Sequence, residues 1–97
     1  YGTIPTALGQ LSSLQRLRLG QNSLTGSLPS ELGLLMNITE LVVANNALHG
    51  TLPTQLGQLT ALQLFQADTN GFTGSLPIEL GTLTALHSLD LDTNQFN

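Results

Sequence analysis

The charged and imidazole chemistry of this 97-residue chain amounts to six carboxylates, two arginines and two histidines, and much of it is spaced two residues apart. Arg16 and Arg18 form one such pair, Asp90 and Asp92 another. On an extended backbone, residues i and i+2 share a face, so each pair presents its charges together. His87, Ser88 and Asp90 hold the residue types of a hydrolytic triad. A triad needs its groups to converge on one hydrogen-bonded line, whereas residues on a single short strand point alternately to two faces, so no catalytic residue is assigned and the chain is not read as an enzyme. Calcium at Asp68, Asp90 and Asp92 is also disfavoured, because a hard cation usually takes more oxygen ligands from a defined loop. His49 has no partner at metal-ligand spacing and the chain has no cysteine, so neither a metal nor any other cofactor is expected. Asn37, Ile38 and Thr39 spell the Asn-x-Ser/Thr acceptor of an N-linked glycan, a signal that operates only in a secreted protein.

A repeating frame positions these residues. Asparagine recurs at Asn22, Asn46, Asn70 and Asn94, always 24 residues apart, and a fixed period of that length signals a solenoid. Written from Leu14, one period reads LQRLRLGQNSLTGSLPSELGLLMN, followed by ITELVVANNALHGTLPTQLGQLTA and LQLFQADTNGFTGSLPIELGTLTA. The chain thus divides into a partial unit at 1–13, full units at 14–37, 38–61 and 62–85, and a partial unit at 86–97. Tyr1 and Asn97 fall at the same phase, and no polar or disulfide-bonded capping repeat is evident, so an internal stretch of a longer solenoid is expected. The absence of cysteine then carries no message about redox compartment, and a membrane is expected only through segments outside this stretch. With six acidic residues, two arginines and a net charge of −4, there is no basic footprint for nucleic acid or anionic lipid.

Leu14, Leu17, Leu19, Leu24, Leu28, Leu32 and Leu35 are the apolar positions of one period, matched by Ile38, Leu41, Val43, Leu48, Leu52, Leu56 and Leu59 in the next. Alternation around Leu17 and Leu19 predicts a short strand with one buried face. The irregular remainder, broken by Gly and Pro, predicts a coil that turns back to start the next strand. One coil alone buries too little to fold, whereas stacked coils bury both faces and pair their strands about 4.8 Å apart in a parallel sheet. A turn leaving the strand exposes backbone groups that a carboxamide, with its donor and acceptor, can satisfy, which assigns Asn22, Asn46, Asn70 and Asn94 to an internal structural ladder. Gly26, Gly50 and Gly74 would permit tight or positive-φ turns, and Pro5, Pro29, Pro53 and Pro77 an extended or first-turn conformation.

The pattern LxxLxLxxNxLxGxLPxxLGxLxx, kept along the whole chain, resembles the leucine-rich repeat in its 24-residue plant-type class. That resemblance implies an α/β-type solenoid: a right-handed superhelix with a short parallel sheet on its concave face and loops with short 3-10 or helical turns on its convex side. It also implies a second short strand in the LxGxLP segment. Ala67 departs from the usual strand leucine or valine and would leave slack beside Phe65 and Phe72, whose larger rings could compensate in volume. Leucine replaces the common isoleucine before three of the four prolines.

Only residues that differ between repeats can carry individual chemistry. With Leu17 and Leu19 inward, four outward columns follow: Arg16, Glu40, Leu64, Ser88; Arg18, Val42, Gln66, Asp90; Gly20, Ala44, Asp68, Asp92; and Gln21, Asn45, Thr69, Thr93. Both arginines sit on the first strand and Asp68, Asp90 and Asp92 on the last two, so the face is electrically graded, with Val42 and Leu64 as an apolar contact between the charged ends. Arg16, Arg18, Glu40, Val42, Leu64, Gln66, Asp68, Asp90 and Asp92 are the expected ligand-binding residues, and Arg16 is expected to pair with Glu40 across strands. The resemblance implies a non-catalytic protein- or peptide-binding segment of an extracellular or cell-surface recognition protein, as in receptor-like kinases, receptor-like proteins and polygalacturonase inhibitors. Two alternatives stand beside it. One is a structural subunit of a larger assembly; the other is an ice-, mineral- or glycan-binding array formed by Thr3, Ser27, Thr51 and Ser75 stacked on the loop side.

Overall fold

The alternation around Leu17 becomes a three-residue strand in each coil, and the irregular remainder becomes two further short elements. In chain order the computed structural model, which describes residues 2–97, contains β1 (Gly2–Thr3), β2 (Arg16–Arg18), β3 (Leu24–Thr25), β4 (Glu40–Val42), β5 (His49–Gly50), β6 (Leu64–Gln66), β7 (Gly71–Gly74), β8 (Ser88–Asp90) and β9 (Gln95–Phe96). Tyr1, and with it the phase it shares with Asn97, lies outside the described residues. Five-residue 3-10 turns at Thr6–Gln10, Ser30–Leu34, Thr54–Gln58 and Ile78–Thr82 complete the coils. Among the described residues no helix is long and apolar enough to cross a membrane.

β2, β4, β6 and β8 form one parallel sheet in that order. Its register advances by a full period, Arg16 lying opposite Glu40, Glu40 opposite Leu64 and Leu64 opposite Ser88. The ladder runs one residue further, since the amides of Leu19, Val43 and Ala67 donate to the carbonyls of Val42, Gln66 and Asp90 at 2.7, 2.8 and 2.9 Å. The second short strands pair differently: Gly2 lies opposite Leu24, His49 opposite Gly71 and Thr73 opposite Gln95, each two residues short of the period. These strands cross the stack on a slant, which corrects the expected hydroxyl column. Thr3 faces Thr25 and Ser27 faces His49, so Thr3, Ser27, Thr51 and Ser75 are staggered instead of aligned.

Each proline sits just before a 3-10 turn in extended conformation, as at Pro53 with φ −70° and ψ 141°, and its carbonyl accepts the amide of the turn's leucine, Leu56 here, at 3.2 Å. With only five residues between proline and the closing leucine, the segment forms tight i→i+3 bonds in place of an α-helix. The turn glycine sets how closely successive coils approach. A Cβ at Gly57 would stand 2.7 Å from the Glu79 carbonyl oxygen, so that face of the stack packs backbone against backbone. Gly50, at φ +79°, closes the second short strand in a conformation that side chains resist.

Stacking controls burial more than residue type does. At the central strand position Leu17 is 8% exposed and Leu41 and Phe65 are fully buried, whereas Leu89, with a coil on one side only, is 45% exposed. Leu35, Ile38, Leu48, Leu59 and Phe72 are likewise sealed within the middle coils. Ala67, Phe65 and Phe72 are all fully buried, and Phe72 stacks on Phe96 with ring centroids 6.2 Å apart.

Candidate functional site: the concave sheet face

Each asparagine ties its turn to the coil beside it, which holds the sheet face in place. Asn70 Nδ2 donates to the Val43 carbonyl of the preceding coil at 3.0 Å and to Ala67 and Asp68 of its own, while Oδ1 accepts the Leu48 amide at 3.1 Å. Asn46 and Asn94 repeat the arrangement with Leu19 and Leu24, and with Ala67 and Phe72. The rungs are joined through backbone groups and not amide to amide. Asn22 is exposed and bonds only the carbonyls of Leu19 and Gly20 in its own turn.

The residue before each asparagine carries a feature that the sequence does not reveal. Gln21, Asn45, Thr69 and Thr93 have φ of 58°, 60°, 58° and 56°, the left-handed region, which is costly for a β-branched threonine. The conformation is imposed from outside: Thr69 N–H donates to the Asp92 carbonyl at 2.9 Å and Asn45 N–H to Asp68 at 2.9 Å, so the sheet ladder and the asparagine bridge hold the turn from both sides.

On the face itself the graded charge takes a specific form. Glu40 does not pair simply with its register partner. Arg18, on the diagonal, binds Glu40 Oε1 through Nε at 3.1 Å and through a close Nη2 contact, while Arg16 Nε lies 3.6 Å from Oε2. The diagonal arginine makes the closer contact, two of its nitrogens converging on one carboxylate oxygen. The hydrogen bond from Arg18 holds the Glu40 carboxyl below its ordinary value of 4.5, with desolvation opposing and the charges of Arg18 and Arg16 assisting. One carboxylate thus serves two arginines that remain about two-thirds exposed, at 66% and 63%. At the opposite end Asp68 and Asp90 are half-buried and Asp92 exposed, and Asp90 Oδ1 accepts the Asp92 amide at 3.1 Å. Among the described residues no three acidic or histidine side chains gather at metal-binding distance. His87 Nδ1 lies 2.6 Å from the Ala85 carbonyl, turned to its own turn and not to Asp90.

Arg18, Gly20, Gln21, Val42, Ala44, Asn45 and Gln66 enclose a depression of about 300 Å³ on this face. Three of the expected residues, Arg18, Val42 and Gln66, meet here; Arg16, Glu40, Leu64 and the three aspartates lie outside it. Gly20 and Ala44 make the hollow, because their column carries almost no side chain in the first two coils and aspartate in the last two. Ala44, expected to point outward, is only 6% exposed and forms the floor beneath taller neighbours. That drop in side-chain size was the available sequence signal. Gln21 and Asn45, which flank the floor, were not among the expected ligand residues.

The leucine-rich-repeat family model matches residues 13–35. No curated protein matches the chain. The solved complex of PEPR1 with AtPEP1 is similar over 99% of this chain and 14% of that one, at 41% identity and a TM-score of 0.97. The Arabidopsis receptor kinase HAESA, in complex with the peptide hormone IDA and the co-receptor SERK1, is similar over 99% and 16%, at 40% identity and a TM-score of 0.94. This chain belongs to the plant-type leucine-rich repeats. A plant ice-binding protein shares the same solenoid over 98% of this chain and 31% of its own, at 32% identity and a TM-score of 0.93. The leucine-rich-repeat stretch therefore spans between about a seventh and a third of the length of these three relatives.

Proposed function

We propose that the concave sheet face is a non-catalytic docking surface for an extended peptide or protein segment, within an extracellular or cell-surface recognition protein. The observation that carries this reading is the hollow over Gly20 and Ala44. It gives a partner side chain an apolar floor and wall at Ala44 and Val42, ringed by the polar ends of Arg18, Gln21, Asn45 and Gln66. The charge gradient gives direction to anything that crosses the strands: Arg16 and Arg18 outnumber Glu40 at one end, and Asp68, Asp90 and Asp92 dominate the other. One relative, HAESA, was solved with the peptide hormone IDA bound, which supports the same ligand class here. The staggered hydroxyls, interrupted by His49, give little support to the ice- or mineral-binding alternative.

The test is selection of binders from a displayed random-peptide library, followed by affinity measurement with charge-reversed chains. Arg18→Glu and Asp90→Lys are expected to weaken the selected peptides at least about tenfold, and Glu31→Lys and Glu79→Lys on the 3-10 side by less than about twofold. Equal tolerance of both sets refutes the proposal.

A further inference from the structure

We propose that Asn37 carries an N-linked oligosaccharide and that this glycan covers the exposed apolar pair Leu34 and Met36. The inference rests on the secretory location proposed above, but on a different surface. Asn37 is exposed, and its frame equivalents are Ser13, Ala61 and Ala85, so the coil does not require an asparagine there. The unit that carries the acceptor tripeptide is also the unit whose neighbouring polar positions turn apolar. Leu34 stands where the other coils have Gln10, Gln58 and Thr82, and Met36 where they have Ser12, Thr60 and Thr84. Both side chains are more than half exposed, at 57% and 52%. The turn is compact, with the Met36 amide on the Leu34 carbonyl at 2.9 Å and the Ile38 amide on the Leu35 carbonyl at 3.1 Å, so Leu34, Met36 and Asn37 are held close together. The carbon-bound hydrogens of a pyranose ring supply the apolar partner that this turn lacks within its own chain.

The donor is a lipid-linked oligosaccharide. A bond forms between Asn37 Nδ2 and the sugar C1, the C1–oxygen bond to the lipid pyrophosphate breaks, and one Nδ2 proton leaves to a base of the transferring enzyme. The remaining Nδ2 hydrogen stays available for the Ser12 carbonyl, which Asn37 already reaches at 2.8 Å, and that bond steadies the linkage. Thr39, whose hydroxyl completes the acceptor tripeptide, is half-buried in the folded coil and donates to the Gln15 carbonyl at 3.0 Å, while Ile38 is fully buried. Transfer therefore precedes closure of this coil.

The chain is secreted from a eukaryotic host and analysed by intact mass before and after an amidase that releases N-linked glycans and leaves aspartate. A glycan mass lost on treatment, with aspartate appearing at position 37, is expected; Asn37→Gln and Thr39→Ala remove it and Thr39→Ser keeps it. A secreted chain without the glycan overturns the site. Met36 is the chain's one methionine and reports the cover: peroxide oxidation is expected to be at least about threefold slower in the glycosylated chain than in Asn37→Gln. Equal rates overturn the cover. Neither result depends on whether the concave face binds a peptide, so failure of that reading shows separately.

Discussion

Asn70→Ala removes a bridge between two coils, and Asn22→Ala removes the same side chain where it bonds only within its own turn. In Asn70→Ala the Leu48 amide loses its partner Oδ1, and Leu48 is fully buried, so that donor has no route to water. An orphaned buried amide costs about 1–3 kcal/mol. The two Nδ2 hydrogens, shared among the carbonyls of Val43, Ala67 and Asp68, add roughly 1 kcal/mol each, for a loss of about 3–5 kcal/mol. Asn22 is exposed and bonds only Leu19 and Gly20, which water can replace, so its loss is at most about 1 kcal/mol. The assay is urea unfolding of both variants and the parent chain, followed by circular dichroism. At a typical slope of 1–3 kcal/mol/M the Asn70→Ala midpoint falls by about 1–5 M or the chain unfolds outright, while Asn22→Ala stays within about 1 M of the parent. Equal shifts for the two variants would refute the bridging role of the ladder.

Gly57→Ala places a methyl 2.7 Å from the Glu79 carbonyl oxygen and is expected to lower stability by about 1–3 kcal/mol in thermal denaturation, whereas Gly81→Ala, with nothing within 4 Å, stays close to neutral. Thr69→Asn keeps the left-handed turn with a residue that tolerates it and is expected to raise stability by roughly 0.5–1 kcal/mol; a loss would show that the threonine side chain makes a contact worth more than the strain. The Glu40 carboxyl, followed by NMR, is expected to titrate below 4.5 and to move back toward that value in Arg18→Ala. Because its folded value is the lowered one, the stabilisation by its arginines is present above the unfolded value and fades as pH falls through the folded one. An Arg18→Ala chain whose Glu40 titration does not move would remove Arg18 as the cause.

Periodic features were legible in the sequence, because a residue needed in every coil is written once per period. Leu17 and Leu41 on the sheet, Pro53 before its turn and Asn70 between coils were all placed by their phase alone. What escaped depends on how coils lie against one another. The second strands slant by two residues, which a one-dimensional repeat cannot express, and so Ser27 meets His49 instead of Thr51. Thr69 gives no warning of its positive φ, since its own propensity opposes the conformation and the hydrogen bonds around it win. Of the expected ligand residues, Arg18, Val42 and Gln66 are gathered at one hollow, but the hollow itself comes from what Gly20 and Ala44 lack, a signal easily passed over when searching for reactive side chains. Likewise Arg16 was the sequence partner for Glu40, and side-chain reach gave the closer contact to Arg18.

Partners are proposed to dock on the concave sheet, over Gly20 and Ala44. Chemical-shift mapping of the isotope-labelled chain with a peptide selected from a random library tests it most directly. The largest shifts are expected on Gly20, Val42, Ala44 and Gln66, with the 3-10 turns at Ser30–Leu34 and Thr54–Gln58 unperturbed. Shifts concentrated on those turns, with the sheet residues unmoved, would contradict it.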